Sequence, residues 1–233
     1  MTLSKLELSV VLPAYQEEEN LRNILPRLLK TLQTMDVSSE VLVIDTINPM
    51  DRTKEVCEEN RVRYIKRRVD NYFGSAVRTG INEAHGKYIV FMDADGSHPP
   101  EFIPEIFFFA EKYDVVIASR YINKGRTENS FALIVMSRIV NWTFSIILNL
   151  PCKDVSNSFK VYRGDQLKTI KLTCNNFDIV EEILFKLRRA HPLMRFKEVP
   201  FVFKKRMFGE TKRNLFLFII TYIFTIIKLR FKS

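Results

Sequence analysis

Short apolar runs alternate with amphipathic stretches through the first half of the chain. Strands are predicted where apolar residues form brief runs, at "LELSVVLPAY", "EVLVIDT", "VRYIKRR", "KYIVFMDAD" and "DVVIASRY". Helices are predicted at "EENLRNILPRLLKTLQTM", where Leu and Ile recur at helical spacing, and at "DRTKEVCEEN" and "FGSAVRTGINEAHG". Strands that alternate with helices are typical of an α/β fold built on a mainly parallel sheet.

Polar side chains follow several of these predicted strands at the point where each strand ends. In open α/β sheets, ligands bind at the edge formed by the carboxyl ends of the strands. We therefore expect one binding site at this edge, formed by Tyr15, Glu17, Asp45, Asp93, Asp95 and Arg120.

The stretch "FMDADGSHPPE" places two carboxylates, Asp93 and Asp95, directly after an apolar strand. Carboxylate oxygens suit Mg²⁺ or Mn²⁺, and a metal held by few protein ligands completes its shell with substrate phosphates. The alternative is that these acids cap the helix that follows. His98 is interpreted as a structural hydrogen-bonding residue rather than as a metal ligand.

The sequence lacks the glycine motifs that bind phosphate in two large enzyme classes. Neither the Walker A pattern nor G-x-G-x-x-G occurs, and "YFGSAVRTG" has Tyr72 where a first glycine would stand. P-loop chemistry and hydride transfer are therefore disfavoured. A metal-bridged diphosphate without a glycine cradle indicates nucleotide-sugar chemistry.

The formal net charge of +9 is concentrated in the last part of the chain. Residues 186–233 hold 13 Lys and Arg against 2 acids, interleaved with the apolar run 215–227. Nucleic-acid binding does not need such a run, so nucleic acid is not expected as a partner. As a helix the run reaches roughly 20 Å, short of the ~30 Å bilayer core, which favours a position at the membrane interface. A helix packed on the core is the alternative.

Two further features bear on the compartment. The three cysteines are far apart in the sequence, so neither a disulfide framework nor a zinc site is expected, and a reducing cytoplasm fits. The N-terminal stretch "MTLSKLELSVVLPAY" does not have the pattern of a signal peptide.

A second apolar segment, residues 131–150, predicts a helix with one polar stripe. Such a helix suits a lipid interface, with Trp142 near its margin, and would favour a lipid over a soluble sugar as acceptor. The alternatives are a buried helix or one that covers the tail helix. The residues of the stripe are Arg138, Asn141, Ser145 and Asn149.

Four stretches in order, "VVLPAYQEEENL", "FMDADGSHPPE", "VIASRY" and "EVPFVFKKRMFGETK", resemble family 2 glycosyltransferases of the GT-A fold. More narrowly, they are similar to the dolichol-phosphate mannose synthases and their bacterial polyprenyl-phosphate relatives. The resemblance covers residues 8–212. It implies a catalytic domain over residues 1–212, followed by a basic, apolar and membrane-interfacial helix over residues 213–233.

The resemblance also implies roles for individual residues. Mg²⁺ or Mn²⁺ would be bound by Asp93 and Asp95, and the catalytic set would be Asp95, Arg120, Arg206 and Lys212. A solvated basic face is the alternative for the last two, and an ion pair with the aspartates is the structural alternative for Arg120. The donor-binding set would be Pro13, Tyr15, Glu17, Asp45, Gly74, Arg78 and Asp93.

Several positions depart from the family pattern. Gln16 replaces an Asn, Ser97 stands where the mannose synthases have a Gln on the metal, and Thr46 replaces an Asp in the loop that helps read the base. The identity of the donor base is therefore left open. Asp51 either replaces the missing carboxylate or caps the helix after it.

The acceptor side is implied at Arg138, Ser156 and Glu182. A lipid phosphate is already anionic near neutral pH and needs no general base, whereas a sugar hydroxyl needs one, for which Glu181 and Glu182 are the candidates. "KDVSNSFKVYR" is similar to the family's D-x-x-S-G-F-R and carries Ser156.

The sequence thus predicts a metal-dependent, inverting transfer of a hexosyl group from a GDP- or UDP-sugar to a polyprenyl phosphate at the cytoplasmic face of a membrane. A small membrane partner subunit is a further expected partner. The two alternatives are transfer to a glycan hydroxyl and a non-catalytic subunit that binds nucleotide sugars.

Overall fold

The computed structural model describes residues 6–208 and 224–231. Lys212 and, of the predicted tail helix, residues 213–223 and 232–233 lie outside the described residues. The predicted domain boundary at residue 212 lies outside them as well.

Nine strands are found in the described part of the chain. They are β1 (Leu8–Pro13), β2 (Ser39–Asp45), β3 (Arg63–Lys66), β4 (Tyr88–Phe91), β5 (Val115–Ser119), β6 (Arg126–Thr127), β7 (Lys160–Arg163), β8 (Phe196–Pro200) and β9 (Val202–Phe203).

Seven α-helices and one 3₁₀ turn connect these strands, and residues 224–231 are also helical. The helices are α1 (Glu18–Thr34), α2 (Thr53–Glu59), α3 (Phe73–Glu83), α4 (Ile103–Phe107), α5 (Phe131–Ile147), α6 (Gly164–Leu167) and α7 (Ile179–Ala190), and the 3₁₀ turn is Pro100–Phe102.

Seven strands form one sheet in the order β3-β2-β1-β4-β7-β5-β8, and β6 and β9 form a small parallel pair beside it. Only β7 runs antiparallel, between β4 and β5. The predicted α/β fold with a mainly parallel sheet is confirmed. The antiparallel strand was not predicted, because its partners lie far from it in the sequence.

Helices cover both faces of the sheet. Side chains alternate along each strand, so Val10 and Leu12 pack on one face while Val11 packs on the other. The first face carries α1, α2 and α4. The second carries α3, α5, α7 and, through Leu229, the helical residues 224–231.

Helix α5 departs from the predicted bounds and from the predicted orientation. It ends at Ile147, and Asn149 lies beyond it with a φ of 50°. Asn141 faces inward and is 1% exposed, whereas Arg138 is exposed to solvent. The predicted polar stripe is therefore split between the interior and the surface.

No helix in residues 6–208 or 224–231 combines the length and the apolar character needed to cross a bilayer.

Candidate active site

A cavity of about 940 Å³ opens at the carboxyl edge of the sheet. The end of β1, the turn after β4 and the loop before β7 form its floor, and α5 and the start of α7 form one wall. Its lining includes eight of the predicted site residues: Pro13, Tyr15, Glu17, Asp93, Asp95, Arg120, Ser156 and Arg206.

The turn after β4 presents Asp93 and Asp95 to this cavity. Asp93 Oδ1 accepts a hydrogen bond from Ser158 Oγ (2.8 Å), and Asp95 Oδ1 accepts from Ser97 Oγ (2.6 Å) and Ser97 N–H (3.0 Å). Gly96 has a φ of 84°, and a Cβ there would lie 2.4 Å from Met207 Cγ. Glycine thus allows the turn both its backbone shape and its contact with Met207.

His98 supports this turn from below. Its Nδ1 accepts the Asp93 N–H (2.9 Å), so Nε2 carries the proton and donates to Asn157 Oδ1 (3.0 Å). The ring is fully buried and stacks on Phe159 at 4.8 Å. Burial lowers the pKa of His98, which keeps the imidazole neutral. With both nitrogens engaged, His98 has no lone pair for a metal.

Arg206 joins the two sides of the cavity floor. Its Nη2 donates to both carboxylate oxygens of Glu17 (2.5 and 2.6 Å), and its Nη1 lies 3.4 Å from Asp95 Oδ2. Asn20 Nδ2 donates to Glu17 Oε2 (2.6 Å). Burial raises the pKa of Glu17, although the Arg206 charge opposes this shift. The guanidinium is thus held beside the two aspartates.

The chemistry of the aspartate pair fits a hard divalent cation. The two side chains are 27% and 23% exposed, and Asp93 Oδ2 accepts no hydrogen bond within the described residues. No group of three or more His, Cys, Asp or Glu side chains is gathered for a metal in that part of the chain. Two carboxylates suffice only where a substrate supplies further oxygen ligands, as Mg²⁺ sites at phosphates do.

Arg120 forms a second, buried cationic centre. Its Nε and Nη2 donate to the two oxygens of Asp154 (2.8 and 2.7 Å), and Nη2 also donates to Ser156 Oγ (3.0 Å). Burial would raise the pKa of Asp154, but the Arg120 charge and hydrogen bonds outweigh this and lower it. Asn141 of α5 accepts the Ser156 N–H (2.8 Å). Within the described residues Arg120 therefore forms its salt bridge with Asp154, rather than with Asp93 or Asp95.

Three predicted donor-binding residues do not line the cavity. Asp45 is 1% exposed and accepts a hydrogen bond from Tyr64 Oη (2.9 Å), and burial raises the pKa of Asp45. Gly74 donates its N–H to Asn175 O (2.7 Å), and Arg78 donates to Cys174 O (2.6 Å). Gly74 and Arg78 thus secure the chain just before Asn176 and Phe177, which do line the cavity.

Two predicted acceptor-side residues also lie elsewhere. Glu182 is 0% exposed, its carboxylate accepts from the N–H groups of Thr173 and Cys174, and it pairs with Lys186 at 2.9 Å. Burial would raise its pKa, but Lys186 and the backbone donors lower it overall. Glu182, one of the two candidate bases, thus anchors the backbone at Thr173 and Cys174. Arg138 is exposed beside the Tyr121 ring, at 5.7 Å.

The structure adds residues that the sequence analysis did not select. Ser158 and Asn157 hold the aspartate turn, and Asn20 holds Glu17. Lys160, fully buried, donates to Val155 O (3.0 Å) and fixes the loop that carries them. Burial lowers the pKa of Lys160 to about 8. In the pattern D-x-x-S-G-F-R the last residue is an arginine, and Lys160 stands at that position in this sequence.

A comparison with protein families matches residues 9–170 to the model "Glycosyl transferase family 2". The chain belongs to glycosyl transferase family 2. It is 34% identical over 215 residues to the dolichol-phosphate mannosyltransferase of Pyrococcus furiosus. The alignment covers 89% of this chain and 59% of that protein. The chain therefore spans less than two thirds of the length of this relative.

The alignments of this chain with two further relatives cover a larger share of each relative's own length. The dolichol-phosphate mannosyltransferase of Saccharomyces cerevisiae is 30% identical, with 89% of this chain and 81% of that protein covered. The undecaprenyl-phosphate mannosyltransferase of Micrococcus luteus is 30% identical, with 88% and 86% covered.

Among solved structures, glucosyl-3-phosphoglycerate synthase of Mycobacterium tuberculosis, crystallised with Mn²⁺, UDP and glucosyl-3-phosphoglycerate, gives a TM-score of 0.72. The match covers 96% of this chain and 79% of that chain at 17% identity. This likeness shows the fold, and the predicted GT-A fold is confirmed.

Proposed function

We propose that this family 2 glycosyltransferase moves a hexosyl group from a nucleotide diphosphate sugar to a polyprenyl phosphate, with inversion at the anomeric carbon. One observation supports the proposal above the others. A single cavity brings two aspartates, three arginines and the apolar side chains of one helix together, which suits a diphosphate, a phosphate and a lipid chain in one site. The names of the relatives, which are dolichol-phosphate and undecaprenyl-phosphate mannosyltransferases, point to the same acceptors.

The donor diphosphate would lie against Asp93, Asp95 and Arg206. A bound Mg²⁺ or Mn²⁺ would supply positive charge for the leaving nucleoside diphosphate, and Asp93 and Asp95 would hold it. Arg206 neutralises negative charge on the departing phosphate through its planar fork of donors, and Glu17 keeps that fork oriented. Catalysis in this proposal is positioning and electrostatic stabilisation.

The buried position of Glu182 favours a phosphate acceptor over a hydroxyl. Among the residues that the structure describes, the carboxylates that line the cavity are Glu17, Asp93 and Asp95, and Glu17 already binds Arg206. A phosphate is ionised without a base, so the nucleophile of the proposed reaction needs no further carboxylate. Arg120, at the cavity wall, would attract this phosphate.

Helix α5 supports a lipid acceptor. Leu133, Met136 and Val140 line the cavity from this helix. Its outer surface is also apolar, so an isoprenoid chain could leave the cavity along α5 into a bilayer. We propose that the protein works as a peripheral protein on the cytoplasmic face of a membrane, where nucleotide sugars are present. The residues of the exposed surface are Phe131, Val135, Ile139, Trp142 and Ile146.

The proposal is tested by incubating purified protein, Mn²⁺ and radiolabelled GDP- or UDP-sugars with a short polyprenyl phosphate. We expect label in the organic extract, and a loss of about a hundredfold or more in Asp95→Asn. Asp165→Asn is the control, since this carboxylate pairs with Arg163 on the surface. Full transfer by Asp95→Asn would refute the metal assignment. Label in water-soluble oligosaccharide, or donor binding without turnover, would refute the lipid-phosphate proposal.

A further inference from the structure

Lys160 is a buried cation at the first position of β7, and no step of the proposed reaction uses it. Its side chain is 0% exposed. The Nζ group donates hydrogen bonds to Val155 O (3.0 Å) and to Asn157 O, which both belong to the loop before β7. The side chain thus ties the start of the strand back to this loop, which spans residues 154–158.

The loop 154–158 contacts the proposed donor side of the cavity. Ser158 Oγ donates to Asp93 Oδ1 (2.8 Å). Asn157 Oδ1 accepts from Nε2 of His98 (3.0 Å), and His98 Nδ1 in turn accepts the Asp93 N–H (2.9 Å). Both the carboxylate and the backbone of Asp93 are therefore held through the loop.

The same loop contacts the proposed acceptor side. The carboxylate of Asp154 accepts from Nε and Nη2 of Arg120 (2.8 and 2.7 Å) and from the Arg120 backbone N–H (2.7 Å). Ser156 Oγ accepts from Arg120 Nη2 (3.0 Å). One short loop therefore joins the two residues that the proposed reaction assigns to different substrates, Asp93 to the donor and Arg120 to the acceptor.

The loop depends on a donor at the position of the Lys160 ammonium group. Val155 and Asn157 are 0% and 2% exposed, so water does not replace a donor to their carbonyl oxygens. A buried carbonyl group without a partner is costly, and an ionised donor makes a stronger hydrogen bond than a neutral one. Without the ammonium group, we expect the loop to rearrange.

The surroundings of Lys160 bring its charge close to the point where it is lost. Burial lowers the pKa of Lys160 to about 8, and the Arg120 charge acts in the same direction. The groups that oppose this shift are Asp154, Cys152 and Glu181. Loss of the proton would leave weaker, neutral hydrogen bonds to the loop. An arginine would keep its charge over the same pH range.

We propose that Lys160 is a positioning residue, whose ammonium group holds the loop 154–158 so that Asp93 and Arg120 are set for donor and acceptor together. This proposal rests on the proposed function, because it takes these two residues to serve the two substrates. A role of this kind predicts that a single substitution at Lys160 affects both substrates, although the side chain touches neither.

Steady-state transfer from a radiolabelled nucleotide sugar to a short polyprenyl phosphate, with Mn²⁺, tests the proposal. We expect Lys160→Met to raise the KM of both substrates and to lower kcat/KM by about tenfold or more, because two buried carbonyls lose their donor. Lys160→Arg, which keeps the charge, should remain within about threefold of the wild type. Lys168→Met is the matched control. Lys168 also donates to a backbone carbonyl, Ala84 O (2.6 Å), and neither residue lines the cavity.

The pH profile of transfer provides a second measurement. In the wild type, kcat should fall as the pH rises through about 8, because the ammonium group loses its proton there. In Lys160→Arg this fall should move upward by at least about one pH unit, since the guanidinium stays protonated. The same alkaline limb in both proteins would overturn the proposal.

Two further results would also overturn it. One is a lower maximal rate in Lys160→Met with both KM values unchanged, which would indicate only a loss of folded protein. The other is an equal change in Lys168→Met. If Lys160→Met does not fold, Lys160→Gln serves in its place and should raise both KM values. If the wild type transfers no sugar, the proposed function fails. UDP binding with Mn²⁺, measured by calorimetry, then tests Lys160 separately: Lys160→Met should weaken it and Lys160→Arg should not.

Discussion

Helices α1 and α5 are both 17 residues long, yet they turn opposite kinds of surface toward the protein. α1 buries Leu21, Ile24, Leu25 and Leu28 and leaves charged side chains in solvent. α5 buries Asn141 and Phe144, while the apolar residues at spacings of 4, 4, 3 and 4 along its outer face are exposed. These are Phe131, Val135, Ile139, Trp142 and Ile146.

The difference teaches that an amphipathic pattern does not tell which side of a helix meets the protein. α1 packs flat on the sheet, where only apolar side chains match the strand residues beneath it. α5 packs over the polar loop before β7, whose N–H and hydroxyl groups need hydrogen-bond partners. An outward apolar face of this kind marks an interaction surface, and we propose that its partner is lipid.

The two helices share one structural feature. Each has a single buried asparagine that fixes part of the site: Asn20 of α1 binds Glu17 and the backbone of Phe208, and Asn141 of α5 binds Ser156. Both asparagines are nearly fully buried. The proposed donor side and the proposed acceptor side of the cavity are thus each held by one helix.

The largest expected effect is on stability, and it compares an isoleucine from each helix. Ile24→Ala should lower the free energy of unfolding by about 2–5 kcal/mol, because Ile24 is fully buried and its truncation leaves a cavity. Ile139→Ala, at a position that is 59% exposed, should change it by less than about 0.5 kcal/mol. Urea unfolding measures both, and equal losses would mean that α5 is packed as α1 is.

The next effect is on membrane binding. Replacing Ile139 and Trp142 together by Ser should weaken sedimentation with phosphatidylcholine–phosphatidylglycerol vesicles by roughly tenfold or more, since burying each side chain in lipid contributes about 1–3 kcal/mol. The control replaces two exposed α1 residues, Lys30 and Gln33, by Ser. Unchanged vesicle binding in the α5 variant would remove lipid as the partner of this face.

The smallest effect concerns the two buried asparagines. Asn20→Ala and Asn141→Ala should each cost about 1–3 kcal/mol of stability, because both leave buried polar groups without partners. Their kinetics should differ: we expect a higher KM for the nucleotide sugar in Asn20→Ala and for the polyprenyl phosphate in Asn141→Ala. If both variants shift the same KM, the assignment of one helix to each substrate is wrong.

Much of the fold was predictable because it depends on local periodicity. Strands β1 to β5 and helices α1, α2 and α3 follow from apolar runs and helical spacing. The position of Asp93 and Asp95 at the sheet edge was predictable because they directly follow a strand, and the carboxyl ends of parallel strands lie at the same edge of the sheet. β7 was not predicted, since its pairing with β4 and β5 joins segments distant in sequence.

Three acids of the candidate site were predictable, whereas the burial of Asp45 and Glu182 and the residues that support the aspartate turn were not. Asp93, Asp95, Glu17 and Arg206 line one cavity, as the sequence predicts. Glu182 was selected for its chemistry, but the packing of α7 buries it against Thr173. Residue type reports what a side chain is able to do, whereas its neighbours decide whether a substrate reaches it.

The sequence by itself determined the α/β architecture, the acidic turn after β4 and the apolar character of α5, because each depends on residues that are close along the chain. Only the tertiary structure decided between adjacent residues such as Arg67 and Arg68. The first lies in the cavity wall because Ala14 and Tyr72 supply carbonyl oxygens there, and the second pairs with Glu83 in solvent. Buried charges need partners, and folding alone brings those partners together.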